Sequence, residues 1–161
     1  MGKSDLARAA RAAKRQRTLG QAACCAACGY ADPAALTKSD GRVVCYECRC
    51  AELGKATVEE HHHLGRAVDP STVPVPGNLH RDLSDRQYDW PTPVRENPNR
   101  DPLLWLAAAC LGLRDHLSWW VAWLERIAHW LLALASALKE THGEQWGQAL
   151  GLPPVWQGGR P

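Results

Sequence analysis

Two short cysteine pairs constrain this chain more than any other feature: Cys25 and Cys28, then Cys45 and Cys48, each pair with two residues between its members. A two-residue gap turns both sulfurs of a pair toward one point. The sixteen residues between the pairs are enough to fold back and deliver the second pair to the same point. Four thiolates at tetrahedral corners suit a structural Zn2+, so the spacing predicts a small zinc-ribbon module. Cys24 and Cys50 flank the set and offer substitute sulfurs.

The remaining bounds follow from that site. The chain has 161 residues, enough for one domain or a small domain with an appended element. Its seven cysteines are odd in number and follow no apolar signal segment, so a cytoplasmic metal protein is expected rather than a secreted disulfide scaffold. Formal net charge is +2 and unevenly placed. Residues 1–23 carry Lys3, Arg8, Arg11, Lys14, Arg15 and Arg17 against Asp5 alone, a basic helical arm with Ser4 as its cap. Such an arm suits a phosphate-rich partner, in the first place DNA, or else it is a solvated tail.

Residues 24–50 read as short strands and turns. Ser39-Asp40-Gly41 signals a hairpin, and Arg42-Val43-Val44 is the strand that feeds Cys45. A strand from Val58 runs into a turn near Gly65. The prolines at 70, 74 and 76 imply a loop over 69–78, and a short helix follows from His80 to about Tyr88. Four prolines between 91 and 102 imply a linker, which would bound a module of residues 24–90.

Beyond it, apolar residues recur at gaps of three and four from Leu103 through Leu138, a heptad stripe broadened by Trp105, Trp119 and Leu132. The spacing predicts a long amphipathic helix over 103–141, or a helical hairpin if Gly112 breaks it. Residues 142–161 read as an irregular tail against which Trp146, Leu150 and Trp156 can pack. A membrane span is not expected, because the uncharged runs 103–113 and 127–138 are shorter than the roughly 20 residues a bilayer needs. The stripe is too broad for a small zinc module to cover, which predicts self-association through 103–138. Lying flat on a membrane surface is the second choice, since the helix lacks a Lys/Arg-rich face. The fold class is therefore α+β: a small zinc-ribbon module followed by a long amphipathic helix or helical hairpin.

The histidine run His61-His62-His63 and the later His80 carry the second chemistry. On a strand successive side chains alternate, so His61 and His62 share one ion's surroundings only if the strand bends. One imidazole would then bind a divalent ion while the next accepts a proton from water, an apparatus suited to cutting a phosphodiester. Glu59-Glu60-His61-His62-His63-Leu64-Gly65-Arg66, Asp69-Pro70, Thr72-Val73-Pro74-Val75, His80-Arg81 and Leu83-Ser84-Asp85 together resemble the HNH endonuclease family over about residues 24–90. The resemblance implies a ββα-metal finger. It implies His61 and His80 as metal ligands, His62 as general base, Arg66 as a phosphate contact, and a catalytic divalent cation such as Mg2+. The family's second Cys-x-x-Cys falls on Pro76 and Leu79, with Cys45 and Cys48 standing in for it. Its asparagine falls near Ser71, and its final ligand on Ser84, for which Asp82 or Asp85 would compensate. The expectation is a DNA endonuclease. The alternative is a catalytically inactive zinc module that binds nucleic acid or protein. No small-molecule cofactor is expected.

Overall fold

The computed structural model describes residues 3–151, with side chains from Leu6 onward. The cap expected of Ser4 and the packing expected of Trp156 lie outside the described side chains. Two compact units divide the chain, Met1–His116 and Leu117–Pro161. The class is α+β, with two small antiparallel sheets and a long C-terminal helix.

The first unit opens with helix α1 (Lys3–Leu19). It is not a free arm. Arg15 forms a two-pronged ion pair with Asp85 (2.6 and 2.9 Å), and Arg11 reaches Asp85 and Asp89. Part of the expected DNA-facing charge is thus neutralised internally. Strands β1 (Leu36–Ser39) and β2 (Arg42–Cys45) form the predicted hairpin. Asp40 and Gly41 both take positive φ, the mirror-image turn that matches strand twist and that favours glycine. Helix α2 (Tyr46–Glu52) starts directly from β2.

A second hairpin pairs β3 (Val58–His61) with β4 (Val73–Pro76), in a register that sets His61 opposite Val73. Strand β4 lies where the prolines implied a loop. Each strand of a two-stranded ribbon is an edge, so Pro74 and Pro76 need not donate to a second neighbour. Helix α3 (Gly77–Gln87) follows at once, three residues earlier than the sequence suggested. The two hairpin–helix pairs are joined at their helix starts. Glu47 N donates to Asn78 Oδ1, and Asn78 N donates to Glu47 Oε1, so each side chain caps the other helix.

Residues 91–102 are not a bare linker. They contain helix α4 (Thr92–Glu96), whose Val94 is buried. Val94, Leu64, Trp90 and Ala108 form one apolar cluster. Ala108 belongs to helix α5 (Pro102–His142), so the start of that helix is part of the first unit's core. The Trp90 indole donates to buried Asp115 (2.9 Å). Helix α5 is continuous, which removes the hairpin alternative. Gly112 serves close packing instead: a Cβ there would collide with the His63 carbonyl oxygen.

In the second unit the remainder of α5 is largely exposed, including Leu117, Trp120, Val121, Leu124, Trp130, Leu131 and Leu132. Helix α6 (Trp146–Ala149) occupies part of the stretch expected to be irregular, with Trp146 half-buried and Leu150 exposed. The uninterrupted uncharged runs of α5, 103–113 and 127–138, are each shorter than a bilayer span. Taken over 18 residues, α5 is long and apolar enough to cross a membrane by length and composition, with at most two charged side chains and none of that stretch buried.

Candidate metal centre and histidine cleft

The cysteine site is assembled by the first hairpin and its helix. Cys25 and Cys28 sit in a tight turn, where Gly29 N donates to Cys25 O and Cys25 N to Tyr30 O (both 2.8 Å). Cys45 ends β2 and caps α2, accepting from Cys48 N at 3.5 Å. The four sulfurs all lie within 4.8 Å of one another, and Cys28 and Cys45 approach to 3.7 Å. Corners of a tetrahedron ~2.3 Å from its centre are about 3.8 Å apart, so the set fits a zinc ion. All four cysteines are free of disulfides. Burial opposes the Cys25 thiolate, but the backbone amides of Cys45, Cys28 and Ala27 bring its pKa down to about 6. Burial and then the neighbouring sulfurs push Cys48 up. The four sulfurs could hold a cation in their midst, and a Zn2+ bound there would draw all four to the thiolate and fix the shape of the module. Cys24 and Cys50 stand outside the cluster.

The histidine site is assembled by the second hairpin and its helix. Strand β3 stops at His61, and the chain turns through Gly65 N donating to His62 O (2.9 Å). That bend lets both His61 and His62 face one cleft, which the strand rule alone forbids. The cleft has a volume of about 320 Å³, and His61, His62, Arg66 and His80 all line it, with Ser84, Gln87 and Arg95. Arg66 is exposed. A second cleft of about 590 Å³ continues from Arg66 past Arg100 and Trp105.

His61 is only 2% exposed, and burial, then the imidazoles of His80 and His116, hold its pKa down at about 4. Gln87 Nε2 donates to His62 O (2.7 Å) and lies 3.3 Å from His61 Nε2. His80 Nδ1 meets Glu59 Oε2 at 2.5 Å. Burial works against the Glu59 carboxylate, but Tyr46, His80 and Arg81 more than offset it, so its pKa is lowered. An ionised carboxylate only accepts, so His80 carries its proton on Nδ1. The Tyr46 hydroxyl donates to the other oxygen of Glu59 (2.6 Å), which joins the cysteine helix to the histidine site.

Two compensations expected from the sequence fail. Asp82 is engaged by Arg86, and Asp85 by Arg11 and Arg15. Ser71 N donates to Asp69 Oδ1 (2.7 Å), and Ser71 does not line the histidine cleft. None of the residues lining that cleft is a carboxylate, so its donors are poorly suited to Mg2+ and better suited to ions that accept imidazole.

No family model matches the chain, and no curated protein or solved structure matches it. The chemistry of the site therefore rests on its own residues.

Sequence reasoning missed Glu59, Gln87, Arg95 and His116. Glu59 had a legible signal, because it lies two residues before His61 and so shares a strand face with it. His116 had none, because only packing of α5 brings it 5.8 Å from the His61 ring.

Proposed function

We propose that the histidine cleft is a metal-dependent phosphodiester-hydrolysing site of HNH type acting on DNA, with the cysteine cluster as its structural zinc support. The observation that carries this reading is the convergence of His61, His62, His80 and Arg66 in one cleft. A divalent ion held by His61 and His80 would polarise a phosphoryl oxygen and stabilise the leaving oxygen. His62, half-buried and lining the same cleft, would accept a proton from the attacking water. Arg66 and Arg95 supply positive charge for the phosphate, and Arg100 and Trp105 extend the path along the neighbouring cleft.

The test is nicking of supercoiled plasmid by the full chain with Mn2+, Ni2+, Zn2+ or Mg2+. Wild type is expected to nick, with the nitrogen-accepting ions ahead of Mg2+. His62→Ala is expected to lose roughly 10²–10⁴-fold in rate. Equal inactivity of both proteins would leave the alternative, a zinc module that binds without cutting.

A second reading concerns the exposed apolar surface of α5 beyond His116, which favours self-association. Leu124→Glu with Leu131→Glu should then lower the mass seen by light scattering, and an unchanged mass would count against it.

A further inference from the structure

The larger cleft, beyond Arg66, is shaped by the turn that precedes α5. Asn97 and Arg100 both take left-handed backbone, with φ of 35° and 53°, which a residue with a side chain adopts at a cost. The turn is nevertheless fixed. Buried Asn97 donates Nδ2 to Asp101 O (3.0 Å) and accepts from Asp101 N (2.8 Å), and Arg100 N donates to Asn97 O (3.0 Å). Asp101 Oδ1 in turn accepts from Leu103 N (2.8 Å) at the start of α5. This holds the exposed Arg100 in the lining of the cleft, with Arg66 and Trp105.

Trp105 stands in the first turn of α5 and is 42% exposed. Its only polar group is already used. The indole Nε1 donates to Asp69 Oδ2 (3.2 Å), and Asp69 Oδ1 accepts from Ser71 N (2.7 Å). The pose of the ring is thus set, and what remains for a ligand is its apolar and π surface. Against the single carboxylate of Asp69, the lining sets two guanidinium groups. The volume, about 590 Å³, is in the range of ligand clefts. Arg66 and Ala67 line this cleft and the histidine cleft alike, so the two are continuous. Cationic side chains beside a pinned aromatic ring suit a ligand that carries both phosphate and a flat base.

We propose that this cleft binds an unpaired nucleotide of the DNA strand that enters the histidine cleft, its base stacked on Trp105 and its phosphates held by Arg66 and Arg100. A base inside a duplex has both faces covered by its neighbours, so only an unstacked base can offer a face to the indole. The preferred substrate is then single-stranded DNA, or a gap, flap or bubble of the kind that negative supercoiling favours, rather than relaxed duplex. The proposal rests on the DNA-acting part of the function proposed above and names the form of that DNA.

The experiment is fluorescence anisotropy of the full chain at fixed salt, without added divalent ion, so that binding is read apart from cutting. The probes are a labelled single strand of about 16 nucleotides, the upper end of such site sizes, and the duplex it forms with its complement. Wild type should bind the single strand more tightly. Trp105→Ala should weaken single-strand binding roughly 5- to 150-fold, the worth of one stacked base, and leave duplex binding unchanged, while Trp105→Phe should keep most of the affinity. Arg100→Gln should lower the slope of log affinity against log salt by about 0.7 on the single strand. Should Trp105→Ala misfold, Arg100→Gln reads the same cleft from an exposed side chain. Duplex bound as tightly as single strand, or equal weakening of both by Trp105→Ala, would overturn the proposal, as would no binding at all. A mononucleotide that competes as well as the strand would make the ligand a free nucleotide and overturn it too. Plasmid nicking by a wild type whose single-strand binding ignores Trp105 would remove this site and leave the nuclease reading. Trp105-dependent binding without nicking would do the reverse.

Discussion

The first unit contains the same local arrangement twice, a two-stranded hairpin running straight into a helix, and stabilises the two copies by different means. At the cysteine end, β1, β2 and α2 enclose Cys25, Leu36, Val44 and Cys45, a cluster in which half of the buried side chains are sulfur ligands. At the histidine end, β3, β4 and α3 adjoin a cluster of Leu64, Trp90, Val94 and Ala108, which borrows its apolar mass from α4 and α5. One copy encloses few fully buried apolar side chains and carries four cysteines that could hold an ion. The other recruits two later helices. The histidine end has an apolar support of its own.

The largest expected effect falls on the cysteine end. Structural zinc contributes on the order of 10 kcal/mol to folding of small zinc modules. Cys45→Ser should remove the sulfur-bound metal and the amide-exchange protection of residues 24–50, while protection around Trp90 and Ala108 persists. Equal loss at both ends would erase the contrast. The next effect is the converse. Trp90→Ala removes a buried indole and strands the Asp115 carboxylate, at a cost of about 3–5 kcal/mol. Denaturation and exchange should show the histidine end opening first, with sulfur-bound zinc retained.

The smallest effect is electrostatic and sharpens the contrast through α1. Burial works against the Asp85 carboxylate, but Arg15 and Arg11 hold its pKa below the usual value of 3.8. A depressed folded-state pKa gives stability that is fully present above the ordinary carboxylate range and is lost as pH falls through the lower, folded value. Asp85→Asn should therefore cost roughly 1–3 kcal/mol at neutral pH and little in strong acid. The loss should be read as fraying of α1 in exchange measurements. A penalty that does not change with pH would show that the carboxylate is not what anchors α1.

Much of the cysteine end was legible because its determinants are local. Asp40-Gly41 specifies the turn, Arg42-Val43-Val44 the strand, and two Cys-x-x-Cys spacings the ligand set. The histidine end was legible in part. The run at 61–63 points to the cleft that His61, His62 and His80 line, but β4 was hidden by its prolines, whose exclusion from strands weakens in a two-stranded ribbon. The stretch 91–102 was misread for a similar reason. Proline count signals a break in local structure, and it does not register that Val94 faces a core.

What the sequence determined by itself, then, is everything set by neighbours along the chain: the sulfur spacing, the hairpin turn, the helical period of α5, and the presence of imidazoles and arginine near residues 61–80. Tertiary structure decided which of these groups meet. It drew α1 onto Asp85, bent the chain after His61 so that two adjacent imidazoles share a cleft, and carried His116 to within 5.8 Å of His61 across 54 intervening residues. Periodicity reports that a helix has an apolar face, whereas the partner of that face depends on shape. Here the missing Cβ of Gly112 and the bond between Trp90 and Asp115 made the choice.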